Sequence, residues 1–187
     1  MPHLLEPASS GRAKCRGCGE RIAAGELRFG ERLPNPFADE NAEMTHWFHL
    51  ACAAFRRPEA VIETLESTTT QLERRHELLE EARLGTAHRR LPRVSTVARA
   101  TSGRATCRQC REAIAKDAWR ISLVFYEEGR FIPAGFVHTT CAAPYFETQD
   151  LMSRIRHFSP ALTDSELDEI RTEISAGQVA PPPTSAS

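Results

Sequence analysis

Six cysteines and two of the seven histidines fall at spacings that suit a metal. Cys15 and Cys18 form a C-x-x-C pair, followed after thirty residues by His49 and, three further on, Cys52. Cys107 and Cys110 form a second pair, followed after twenty-seven residues by His138 and Cys141. No cysteine is left over. Three thiolates and one imidazole make a tetrahedral zinc donor set with every position filled by protein. A C-x-x-C turn aims two sulfurs to one side, and an H-x-x-C pair on one helical face supplies the other two donors. The competing account, buried cysteines plus a redox C-x-x-C, gives no reason for a repeated His-Cys pair. His46 also lies three residues before His49, but Gly135 stands at the matching place in the second set, so His46 is left out. The expectation is two Zn2+ per chain, both structural.

Composition narrows the rest. The chain has 187 residues, 41% hydrophobic and 7% aromatic, enough for small domains and thin for one large core. A formal charge of -1 steers it toward no partner in bulk. No run nears the roughly 18 apolar residues of a membrane span, and Met1–Glu6 does not read as a secretory signal. An intracellular, reducing compartment is expected, where cysteines serve metals more often than disulfides. Charge is unevenly placed: residues 85–125 hold nine basic and two acidic side chains, and residues 126–187 hold four and nine.

The duplication extends beyond the ligands. Residues 10–30, SGRAKCRGCGERIAAGELRFG, align with residues 102–122, SGRATCRQCREAIAKDAWRIS, with eleven of 21 positions identical. Arg12, Arg16 and Arg28 recur as Arg104, Arg108 and Arg120, although an arginine cannot ligate a cation. Ile22 and Ile114 are expected beneath the metal, with Leu27 and Trp119 entering strands. In the second copy residues 119–126 and 131–137 are β-rich about the turn Glu127-Glu128-Gly129-Arg130. Trp47 and Phe136, each two residues before a ligand histidine, are expected to pack over the zinc. Thr163-Asp164-Ser165-Glu166 reads as a capping box before Leu167, Ile170 and Ile174. Thr70-Gln71-Leu72-Glu73 reads the same way in the first copy, for a helix ending at Gly85.

These motifs resemble the poly(ADP-ribose) polymerase-type zinc finger, the DNA-break-binding module also present in DNA ligase III. The S-G-R-A-x-C-x-x-C start occurs at Ser10 and Ser102, and H-W-[FY]-H-x-x-C stands intact from His46 to Cys52. The second copy departs from it with Gly135-Phe136-Val137-His138. The resemblance implies small α+β zinc-binding domains: two tandem fingers, each a short antiparallel sheet with a C-terminal helix. It places them at residues 1–84 and 99–176, with a basic linker at 85–98 and a disordered tail at 177–187. It implies phosphate contacts by Arg12, Arg28, Arg104 and Arg120, and stacking on an exposed base pair at a break. Phe37 and Met44 are the stacking candidates in the first copy, Phe131 and Ile132 in the second, where ordinary hairpin packing accounts for them equally well.

The function expected is non-catalytic, zinc-dependent binding of DNA nicks, gaps or ends, as a damage sensor or an adaptor for a repair protein. No stretch resembles the ADP-ribosyl transferase or ligase catalytic domains, and no small-molecule substrate, membrane or enzyme activity is expected. The alternative is a zinc-scaffolded protein-interaction module. The basic linker fits either a track along the duplex or a solubilising spacer.

Overall fold

The computed structural model describes residues 2–35, 42–127 and 129–177. The chain divides into two compact units, Met1–Pro92 with Tyr126–Phe131, and Arg93–Phe125 with Ile132–Ser187. Each is built on a three-stranded sheet.

In the first unit β1 (Leu4–Pro7), β2 (Leu27–Pro34) and β3 (Glu43–His49) pair antiparallel in that order. Phe29 and Phe48 are register partners, and both are buried, as is Ile22. The strand β3 runs directly into α1 (Leu50–Arg56), and α2 (Pro58–Ser67) follows at once. Pro58 at the first helical position needs no amide partner, so the chain restarts a helix there after breaking at Arg57. Arg57 is fixed by a forked pair of hydrogen bonds to the buried Glu31, with its Nε 2.8 and 2.9 Å from the two carboxylate oxygens. The helix α3 is Arg75–Ala87. The capping box expected at Thr70–Glu73 does not form. Residues 68–74 are non-helical and the helix begins after Arg74, with no side-chain cap. Thr68 Oγ1 instead donates to Thr70 Oγ1, tying the threonine run into a local turn.

In the second unit β4 (Val94–Arg99), β5 (Trp119–Glu127) and β6 (Arg130–His138) form the sheet, again in chain order. A 3-10 turn (Thr139–Cys141) leads to α4 (Ala142–Phe146), α5 (Met152–Phe158) and α6 (Asp164–Ala176). Here the capping box is complete: the Thr163 hydroxyl accepts from Glu166 N–H, and Glu166 accepts from Thr163 N–H at 2.8 Å. The buried face of α6 is Leu167, Ile170 and Ile174. Ile114 and Ile121 are fully buried in this core, and Ser159 Oγ accepts from Val97 N–H at 2.8 Å, tying the end of α5 to β4.

Residues 85–98, read as linker, contain the end of α3, a 3-10 turn at Leu91–Arg93 and most of β4. Val94 and Val97 are buried, so hydrophobic pairing with β5 outweighs the basic composition of the segment. The strands β1 and β4 hold matching places, each pairing with the strand that opens after its C-x-x-C turn. The tail beyond residue 177, like Phe37, lies outside the described residues.

Candidate metal centres and nucleic-acid interface

The local structure around each ligand set is nearly the same. After Cys15, a turn brings Gly17 N–H to 3.3 Å from Cys15 Sγ, and His49 N–H donates to the same sulfur at 3.4 Å. After Cys107, Gln109 N–H and His138 N–H donate to Cys107 Sγ, both at 3.4 Å. Two backbone donors aimed at one sulfur favour its thiolate form. The histidines do not share a helical face with the cysteine three residues on. Each is the extended residue just before a helical turn, with φ, ψ of -60°, 149° at His49 and -61°, 148° at His138. The last strand therefore delivers the imidazole, and the turn that follows delivers the cysteine.

The donor atoms Cys15, Cys18, His49 and Cys52 all lie within 4.8 Å of one another, as do those of Cys107, Cys110, His138 and Cys141. His49 Nδ1 is 3.4 Å from Cys18 Sγ and 3.8 Å from Cys52 Sγ; His138 Nδ1 is 3.4 Å from Cys110 Sγ and 3.7 Å from Cys141 Sγ. Tetrahedral zinc, with sulfur at about 2.3 Å and nitrogen at about 2.0 Å, requires nitrogen–sulfur edges of roughly 3.5 Å. Both clusters therefore fit zinc as they stand. Each centre holds a Zn2+ that supplies a cross-link and offers no open coordination position. His46 is outside the cluster; it is buried and its Nδ1 is 3.0 Å from the Tyr126 hydroxyl.

Three thiols packed this closely titrate unequally. Hydrogen bonding with Cys15 and Cys18 pushes Cys52 far above the ordinary thiol value, while its bonds to Cys15 and Cys52 hold Cys18 far below it. In the second centre burial pushes Cys141 up to about 12. Burial also acts upward on Cys107, but donation from the backbone N–H groups of Cys110, His138 and Gln109 prevails and holds it down at about 7. In the first centre the ring is further oriented by His49 Nε2, 3.3 Å from the Arg21 carbonyl oxygen, which leaves Nδ1 free of a proton for the metal.

The repeated arginines separate into two kinds. Arg12 and Arg104 are exposed, as are Arg16 and Arg108 inside the C-x-x-C turns. Arg28 is only 7% exposed; its guanidinium lies 3.4 Å from the centroid of the Trp47 ring, and its Nη2 donates to Glu6 at 2.7 Å. Arg120 lies over Phe136 at 4.0 Å, partly exposed. The aromatics before the histidines thus carry arginines on their rings, while their carbonyls accept from Arg16 N–H and Arg108 N–H, each at 2.8 Å, and so anchor the turns. The acid at Glu6 has no counterpart opposite Arg120, where the register partner is Ala98. Sequence reading missed Glu6 as the partner of Arg28; the pairing of β1 with β2, which brings them together, has no local signature.

Of the stacking candidates, Met44 is half-buried on β3 and Ile132 is exposed. Phe131 is half-buried, 4.8 Å from Tyr126 and edge-on to Phe48 at 6.5 Å, a packing role. Beside it is an open cleft of about 610 Å³ whose lining includes Lys14, Arg16, Trp47 and Arg130. No described helix is long and apolar enough to cross a membrane.

Residues 6–85 match the family described as the poly(ADP-ribose) polymerase and DNA-ligase Zn-finger region. The chain is 28% identical over 141 residues to a poly [ADP-ribose] polymerase of Drosophila melanogaster, an alignment covering 68% of the chain and 14% of that relative. It is 32% identical over 138 residues to poly [ADP-ribose] polymerase 1 of Gallus gallus, covering 65% of the chain and 13% of the relative. The chain thus spans about a seventh of the length of these relatives.

Proposed function

With residues 6–85 matching the poly(ADP-ribose) polymerase and DNA-ligase zinc-finger family, we propose that this chain binds DNA at strand breaks and does no chemistry on it. The observation that carries the reading is the repeated exposed arginine three residues before the first ligand of each centre, Arg12 and Arg104. A zinc cross-link holds each beside a rigid turn, and a guanidinium so placed contacts phosphate at low entropic cost. Arg120, partly exposed, joins them. Arg28 is engaged with Glu6 and Trp47 and contributes chiefly by holding the sheet edge. Arginines alone would bind any duplex. Selection for a break comes from apolar side chains covering a base pair that has lost its stacking neighbour, with Met44 and Ile132 in that role.

Closed centres with four protein ligands support a structural rather than a catalytic role for the metal. The protein acts as a break sensor or as an adaptor that brings a repair protein to the lesion, and it is DNA-associated in the cell. The second lobe is a diverged copy of the first, on the strength of the eleven shared positions in 21. Two linked lobes engage the two sides of one lesion, which raises affinity through effective concentration.

The test compares nicked, gapped, blunt-ended and closed circular DNA over a salt series. Preference for interrupted duplexes, with affinity falling steeply as salt rises, is the expected result. Equal binding to nicked and closed circles removes the proposal, and absence of salt-sensitive binding favours a protein-interaction scaffold instead.

A further inference from the structure

His46 has the spacing of a ligand yet takes no part in the metal centre, and the second copy has Gly135 in its place. It is 4% exposed, a costly position for an imidazole unless it stays neutral and hydrogen-bonded. Its surroundings include a segment remote in sequence, Tyr126–Phe131, which belongs to the first compact unit. His46 Nδ1 is 3.0 Å from the Tyr126 hydroxyl. Gly129 comes so near that a Cβ there would stand 2.5 Å from His46 Cε1 and 3.2 Å from Nε2. With φ at 77°, residue 129 needs glycine both for its backbone and for this approach. The Arg57 guanidinium lies 4.1 Å from the centroid of the Tyr126 ring, and that of Arg56 lies 5.1 Å from the centroid of Phe131.

We propose that His46 is the key of a proton-sensitive latch: neutral, it holds Tyr126–Phe131 in the first unit, and protonated, it lets the segment go. Four groups act on the imidazole: Arg16 from the C-x-x-C turn, Glu31 on β2, Arg57 between α1 and α2, and Tyr126 on β5. Two of them are cations. The one acid, Glu31, is already engaged by the forked hydrogen bonds of Arg57. A proton on His46 therefore adds positive charge beside two guanidinium groups, and the Gly129 backbone leaves no room for water around it. Burial, and after it Arg16, hold the imidazole below its ordinary value; Glu31 opposes them, and Arg57 adds to them. Burial likewise pushes the Tyr126 phenol up, so its hydroxyl keeps the proton that neutral Nδ1 accepts. A released His46 takes up a proton near pH 6.5, whereas the docked one does so only at lower pH. Between those values the released state binds more protons, so docking weakens as pH falls. Arg130 and Phe131 also line the cleft that holds Lys14, Arg16 and Trp47, and release removes that part of its wall. The latch is independent of what the protein binds.

The test follows trypsin cleavage after Arg130 in the full zinc-loaded chain, without DNA, at pH 7.5 and 6.0. Each rate is taken relative to a free peptide of residues 122–135, so that it reports the population of the open segment. The relative rate for wild type is expected to rise about fourfold from pH 7.5 to 6.0, and that for His46→Gln, which cannot take a proton, to stay level. Proton NMR supplies a second reading. His46 should titrate below its ordinary value in wild type and move back toward it in Gly129→Val, whose side chain cannot enter the seat. A wild-type rate insensitive to pH overturns the latch. So does an equal rise in His46→Gln, which would place the acid effect elsewhere, as at the zinc thiolates. Should His46→Gln not fold, the NMR titration decides: the same His46 titration in wild type and Gly129→Val also overturns the proposal. Because no DNA is present, none of these outcomes bears on the break-binding reading.

Discussion

The first and second zinc centres use the same four ligand types and place their histidines on the same backbone conformation, yet they treat the repeated arginine of the strand after the C-x-x-C turn differently. In the first, Arg28 is sandwiched between Trp47 and the carboxylate of Glu6 and is almost sealed from solvent. In the second, Arg120 rests on Phe136, faces Ala98 where Glu6 would be, and stays partly exposed. Shared chemistry at the metal thus fixes the turn, and one neighbouring strand residue decides whether the arginine is withdrawn or left open to solvent. The turns differ in the same quiet way. Gly19 and Gly25 take φ of 83° and 79°, and at the aligned places Arg111 and Asp117 take 69° and 64°. The second copy keeps the left-handed turn without the residue that adopts it freely.

The largest effects should come from the ligands. Structural zinc contributes about 10–16 kcal/mol to folding its site, so Cys18→Ser and Cys110→Ser should each reduce bound zinc from two ions to one and unfold one lobe. Elemental analysis with circular dichroism reads this, and loss of both ions from a single substitution would show the centres to be coupled. Acid should have the same effect on either. Zinc binds thiolates, so protons compete and affinity falls as pH falls. In the Cys18→Ser protein, whose remaining centre contains Cys107, the proton released per zinc bound should rise as pH drops through about 7, where the free thiol begins to hold its proton. Zinc competition across pH measures it.

The arginine contrast comes next. Arg28→Ala should destabilise the protein by about 1–3 kcal/mol, since it removes a buried stack and ion pair. Arg120→Ala should lower the melting temperature less and instead reduce the salt slope of DNA binding by about one. Thermal melts and a salt titration on both variants test this; an equal loss of stability would erase the distinction. A smaller effect separates the turns: Gly19→Ala should cost about 1–2 kcal/mol by forcing a Cβ into the left-handed region, whereas Arg111→Gly should leave stability equal or raise it by up to about 1 kcal/mol. The helix starts give the smallest contrast. Thr163→Ala should cost about 1 kcal/mol through loss of the capping box, and Thr70→Ala should change stability by less than about 0.5 kcal/mol, because no helix begins there.

The capping boxes show why one motif was legible and its twin was not. Thr163-Asp164-Ser165-Glu166 leads at once into apolar residues at helical spacing, and the helix buries Leu167, Ile170 and Ile174 against a core. Thr70-Gln71-Leu72-Glu73 follows two more threonines that compete for the same hydrogen bonds, and the helix starts only at Arg75. A cap is a local preference of about 1 kcal/mol, decisive where packing agrees and overridden where it does not.

Ligand identity, the number of centres and the paired turns are local matters: each C-x-x-C and H-x-x-C closes within a few residues, and a repeat at two places makes chance a poor explanation. Sequence alone therefore determined the two Cys3His centres, the burial of Ile22 and Ile114 and the strands entered at Leu27 and Trp119. Tertiary structure decided the rest. The strands β1 and β4 exist because of partners twenty or more residues away, Arg28 is withdrawn because β1 brings Glu6 beside it, and Phe131 is half-buried because it meets Tyr126 and Phe48. Such outcomes depend on which distant surfaces meet, and the side chains themselves carry no local signal of the partner they will bury against.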